Sequence, residues 1–141
     1  MKDLEPSLKQ EVITLCNKAL EAQEEERFHA SNRDLYKVFE LLPEPKKDWK
    51  AYIWLISNIA DNHFEQEEYQ QGLTHLNTVF ELDEEASQNA YLCLRRGQCA
   101  LELGEETLAN ELLTQAFKLE GKELFEDEHS KYLKFIKQAA E

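Results

Sequence analysis

The chain has 141 residues, 42% hydrophobic and 32% charged, which suits a single soluble domain large enough to bury a core. Its 29 acidic residues outnumber 16 basic ones, for a formal net charge of −13. That charge would be repelled by phosphate backbones and anionic bilayer surfaces, so neither nucleic acid nor membrane is an expected partner.

From its first residues, MKDLEPSLKQ, the chain lacks the apolar core of a secretory signal. No apolar run approaches the roughly 18 residues that span a bilayer. Cys16, Cys93 and Cys99 form an odd, widely spaced set without a CxxC. They are expected to be reduced, buried thiols of a cytoplasmic protein. Only 4 Gly and 3 Pro interrupt a sequence rich in Leu, Glu, Ala, Lys and Gln, which points to an all-helical chain.

Hydrophobic periodicity predicts seven helices, at about 6–24, 27–41, 47–65, 68–82, 87–102, 105–119 and 129–140. The first ends in an acidic run and the second at Pro43 and Pro45, because proline cannot continue a helix. Tight turns are expected at Glu65-Gln66-Glu67 and at Leu103-Gly104-Glu105. The last helix sets Tyr132, Leu133, Phe135 and Ile136 on one side, as a terminal helix does when it covers an open end.

The second, fourth and sixth of these helices end alike: VFEL at Val38–Leu41, VFEL at Val79–Leu82 and AFKL at Ala116–Leu119. From Phe39 to Phe80 is a step of 41 residues, and from Phe80 to Phe117 a step of 37. The same offsets align Ala19 with Ala60 and Gly97, Ser31 with Gly72 and Ala109, and Leu35 with Leu76 and Leu113. Small residues at fixed offsets let two helices approach closely. The segment Ala90–Gly121, with Gly97, Ala100, Gly104, Ala109, Leu113 and Ala116, resembles the tetratricopeptide repeat, a helix–turn–helix unit of about 34 residues. Cys93 and Ala100 stand where that family carries its Trp and Tyr. The longer steps imply lengthened connections between repeats, with KKDW, around Trp49, as one insertion.

The resemblance implies an all-α fold: a right-handed stack of about three antiparallel helix hairpins in one domain, closed by a C-terminal capping helix. The repeats would span about 12–45, 53–86 and 90–123, and the cap about 129–140. It also implies a concave groove lined by the first helix of each hairpin. Transferred to this sequence, the groove positions bring Trp54, Asn58, Asp61, Tyr91, Arg95 and Gln98 forward as partner-binding residues. In the first repeat the same positions hold Ile13, Cys16, Asn17, Leu20, Gln23 and Glu24. One branch of such domains clamps a peptide's terminal carboxylate. Asn58 and Arg95 fit its pattern, but Cys16, Leu20 and Tyr91 do not, so a carboxylate clamp is not expected.

No catalytic, cofactor or metal signature accompanies the repeats. His29, His63, His75 and His129 are scattered, with no pair one helical turn apart and none beside a cysteine. The acidic run at Glu126, Asp127 and Glu128 lacks the alternating ligands and central Gly of a calcium loop, and reads as a solvated connection. There is no GxSxG, phosphate-binding Gly loop or HExxH. The expectation is a non-catalytic module that binds a basic protein. The block from about Trp49 to Lys137, with its tail LEGKELFEDEHSKYLKFIKQ, also resembles small bacterial tetratricopeptide-like immunity proteins. That resemblance implies an alternative: neutralisation of a cognate toxin domain by direct binding.

Overall fold

The computed structural model describes residues 4–49 and 51–140. The first three residues of the opening stretch, and Lys50 within the helix predicted at 47–65, lie outside the described residues. Seven α-helices occur among the described residues: α1 (Pro6–Glu24), α2 (Phe28–Leu41), α3 (Ala51–Glu65), α4 (Tyr69–Leu82), α5 (Ala90–Glu102), α6 (Glu106–Glu120) and α7 (Lys131–Ala139). The same residues contain no β-strand. The helices agree closely with those read from periodicity, except that α3 and α5 begin later.

The late starts have a common cause. A single 3-10 turn lies in each connection after α2, α4 and α6, at Lys46–Asp48, Ala86–Gln88 and Lys122–Phe125. Lys46 secures the first by donating to the carbonyls of Phe39 at 2.7 Å and Leu42 at 2.8 Å, which satisfies two acceptors at the end of α2. Trp49 Nε1 donates to the Pro43 carbonyl at 2.6 Å. After the second turn, Asn89 caps α5, its Oδ1 accepting from the Leu92 amide at 3.0 Å. These turns account for the repeat steps exceeding the usual length.

The three hairpin turns share one backbone geometry. Glu26 (φ 60), Glu67 (φ 62) and Gly104 (φ 81) all adopt the left-handed conformation. They are separated by the same 41 and 37 residues as the VFEL-type endings. In each turn the next amide reaches back five residues: Arg27 to Ala22 at 2.8 Å, Glu68 to His63 at 2.8 Å and Glu105 to Ala100 at 2.9 Å. This is the Schellman closure of a helix C-terminus.

The chain divides into two compact units, Met1–Glu68 and Tyr69–Glu141. In the first, α2 packs on α1 and α3. Its core joins Val12, Ala19, Leu35, Val38, Leu42, Leu55 and Ile59. A hydrogen-bonded amide cluster lies beside that core. Asn62, fully buried on α3, donates to Ser31 Oγ at 2.9 Å and Asn32 Oδ1 at 2.8 Å on α2, and accepts from Gln23 on α1 at 3.0 Å. Every such bond fixes the register of one helix on another, because a buried amide left unpaired is costly.

In the second unit, α5 packs on α4 and α6, and α6 on α7. Gly97 makes the α5–α6 approach possible. A Cβ built there would stand 2.8 Å from Leu113 Cγ and 3.2 Å from Leu112 Cβ. Ala109 and Ala116 on α6 are fully buried. Tyr132 and Ile136 of α7 are buried, while Leu133 and Phe135 are half-buried.

Candidate functional site

In the first unit the first helices leave large apolar groups in solvent. Ile13 on α1 is 42% exposed and Trp54 on α3 is 39% exposed. They occupy the same repeat position, 41 residues apart. Leu20, two turns along α1 from Ile13, is exposed as well. Asn58 and Asp61, on α3 with Trp54, are partly covered. Asn58 donates from Nδ2 to the Trp54 carbonyl at 2.9 Å, and its Oδ1 accepts from Gln23 Nε2 of α1 at 3.5 Å, so both ends of its side chain are engaged within the unit. At the far end of α3, His63 bridges two groups: Nε2 lies 3.0 Å from the Tyr36 hydroxyl and Nδ1 lies 3.0 Å from Glu68 Oε1. Burial raises the Tyr36 phenol above its ordinary pKa, and Glu68 adds to the effect.

In the second unit the corresponding exposed position is Tyr91, 42% exposed and 37 residues beyond Trp54. Arg95 and Gln98, also on α5, are buried instead. Their polar groups are drawn together by Glu128. Arg95 Nη1 donates to Glu128 Oε1 at 3.1 Å and to Gln98 Oε1 at 2.8 Å. Gln98 Nε2 donates to the same Glu128 oxygen at 2.6 Å. Arg95 Nη2 donates to the Tyr91 hydroxyl at 3.0 Å, and the guanidinium carbon lies 5.3 Å from that ring's centroid.

Glu128 therefore departs from the solvated connection expected of the acidic run. Its carboxylate turns inward because α5 presents two strong donors from a buried surface, where a charged acceptor is worth more than in water. A second carboxylate works in the same way. Glu102 of α5 accepts from the Tyr132 hydroxyl at 2.9 Å and forms an ion pair with Lys131. Burial raises the Tyr132 phenol well above its ordinary pKa, and the bond to Glu102 raises it further. Together Glu102 and Glu128 fasten α7 and the segment before it to α5.

The six residues brought forward from the sequence thus differ in what they offer. Trp54 and Tyr91 present rings to solvent, Asn58 and Asp61 are half-covered, and Arg95 and Gln98 are held beneath Tyr91 by Glu128. Ile13, Trp54 and Tyr91, equivalent groove positions in the sequence, are each exposed within their own unit. Sequence reasoning had no signal for the partnership of Arg95 with Glu128, 33 residues away.

None of the three cysteines is in a disulfide, and burial raises the thiol pKa of Cys16 and Cys93. Among the described residues no group of three or more His, Cys, Asp or Glu is placed to hold a metal ion. No described helix is long and apolar enough to cross a membrane.

No family model and no curated protein matches the chain. Among solved structures, the chain is similar to the first TPR of Spaghetti (RPAP3) bound to HSP90 peptide SRMEEVD. The TM-score is 0.66 at 14% identity, over 93% of this chain and 91% of that one. The fold is therefore tetratricopeptide-like: all-α and built of helix hairpins.

Proposed function

We propose that the chain is a non-catalytic protein-interaction module that binds a basic protein partner through the first helices of its repeats. One observation carries this reading. The same repeat position holds a large apolar residue left in solvent in all three copies: Ile13, Trp54 and Tyr91. Single exposed apolar residues are ordinary, and Leu82 of α4 and Phe117 and Leu119 of α6 are exposed as well. But an exposed position that recurs in every first helix and carries two aromatic rings matches the anchors that dominate protein interfaces. The similar solved structure is of a domain bound to a peptide, which supports the same class of function. The charge of −13 favours a basic partner by steering.

Trp54 and Tyr91 are the anchors in this reading, and Asp61 supplies charge. Asn58, Arg95 and Gln98 contribute chiefly by holding α3 and α5 surfaces in shape. Affinity capture tests it, comparing the parent with the Ile13→Ser, Trp54→Ala, Tyr91→Ala triple variant, which spares the core. A basic protein retained by the parent should be lost from the variant. Equal recovery from both, or loss only on substitution of exposed second-helix residues, overturns the reading.

The charge also favours the second reading, an immunity protein covering a basic toxin domain. Its test is a neighbouring reading frame that encodes such a domain and arrests growth unless this chain is co-expressed.

A further inference from the structure

Within the second unit an open groove of about 480 Å³ is lined by residues that include Phe80 of α4, Arg96 of α5, and Leu108, Glu111, Leu112 and Lys118 of α6. Arg96 is fixed from the α4 side. Its Nε donates to Asn77 Oδ1 at 2.9 Å, and its guanidinium carbon lies 4.5 Å from the Phe80 ring centroid. Its two terminal nitrogens have no hydrogen bond or ion pair to any described residue. Burial lowers the pKa of the group, against the raising influence of Cys93, Glu111, Glu105 and Glu81, yet an arginine remains protonated. The groove is therefore lined by a planar cation that is partly stripped of water, held in one orientation and left with unused donors.

A guanidinium in that state matches a carboxylate, which can accept two parallel N–H bonds. The apolar groups beside it, Phe80, Leu108 and Leu112, match a hydrophobic side chain. Lys118 adds a second positive charge, and Glu111 is the only acid in the lining among the described residues. We propose that this groove binds an acidic peptide segment, seating a Glu or Asp carboxylate on Arg96 and a neighbouring apolar side chain against Phe80, Leu108 and Leu112. The charge of the whole chain opposes such a ligand at a distance, but exposed charges are screened beyond about 8 Å at physiological ionic strength. Arg96 acts at contact. The site has none of Ile13, Trp54 and Tyr91 in its lining, so its failure leaves the first-helix reading intact.

The test is an NMR titration of the full ¹⁵N-labelled chain with acetyl-Leu-Glu-Leu-Leu-amide, and with the same peptide carrying Gln for Glu. The Arg96 Nε–H and the amides of Leu112 and Gln115 should shift saturably with the acidic peptide. The Gln peptide should bind at least about tenfold more weakly, as should the acidic peptide to Arg96→Gln. Arg96→Lys should restore only part, because it keeps the charge and loses the planar fork. Lys118→Glu, at an exposed position, should weaken binding with an unchanged helical spectrum, and it decides the matter if Arg96→Gln disturbs the fold. The proposal is overturned by absence of saturable shifts, by equal response to both peptides, by unchanged affinity in Arg96→Gln or Lys118→Glu, or by the same shifts from sodium acetate at equal concentration.

Discussion

Glu26 and Glu67 do the work of a glycine without its conformational freedom. Both take positive φ at the hairpin turn where the third repeat has Gly104. For a residue with a Cβ, the left-handed region costs roughly 1–2 kcal/mol. Glu26→Gly and Glu67→Gly should each stabilise the chain, by about 0.5–1 kcal/mol once glycine's extra freedom in the unfolded chain is subtracted. Gly104→Ala should destabilise it by a similar amount. Urea unfolding of the three variants checks this, and a loss of stability in both glycine variants would refute it. The sequence marked Gly104 as a turn because glycine favours that conformation. It gave no such signal at Glu26, where the turn is set by the closing bond from Arg27 to Ala22. Glu128 was illegible for a related reason. In a chain with 29 acidic residues, nothing local separates a carboxylate that faces α5 from one that faces water. Glu128→Ala should cost about 2 kcal/mol by removing the charged acceptor of two buried donors, and Glu128→Gln should cost less because an acceptor oxygen remains. The same unfolding assay reads both, and an unchanged midpoint for Glu128→Ala would mean the network is not stabilising.

Between helices, close approach was the most legible feature. Gly97 and Ala109 are legible as contact residues because smallness repeats at fixed offsets, and the structure places Leu113 against Gly97 and buries Ala109 completely. Gly97→Ala and Ala109→Leu should each cost about 1–3 kcal/mol by overpacking the α5–α6 contact. Thermal melts would expose an error, since a variant melting like the parent would show space where none is expected. The 3-10 turns between repeats were legible only as extra length, because three residues carry no periodicity. The closing helix was legible from its apolar side, but its attachment through Glu102 and Tyr132 was not. That attachment has a pH signature. The folded state raises the Tyr132 pKa, so the unfolded phenol ionises first, near pH 10. The stabilisation is complete below that pH and is lost as pH climbs beyond it. The raised Tyr36, Cys16 and Cys93 act in the same direction, the thiols from a lower pH. Tyr132→Phe should therefore reduce the alkaline decline in stability without abolishing it, and an identical slope above pH 10 in parent and variant would rule Tyr132 out as a contributor.

At the scale of the whole molecule, charge and anchoring make separable contributions to binding. In the proposed reading, a charge of −13 acts before contact, by raising the rate at which a basic partner arrives. The exposed rings act after contact, by packing against the partner and excluding water. If both operate, the association rate should fall steeply with added salt while the dissociation rate changes little, because surface charges are screened and packed apolar groups are not. Asp61→Lys reverses one charge on α3 and should mainly slow association. Trp54→Ala leaves the charge untouched and should mainly shorten the life of the complex, since most affinity differences among variants of one interface lie in dissociation. Surface-binding kinetics on the captured partner, run for both variants at two salt concentrations, would separate the two contributions. Parent-like kinetics in both variants would move the binding surface off α3. A Trp54→Ala variant that associates slowly but dissociates normally would mean the ring shapes the free surface instead of holding the formed complex.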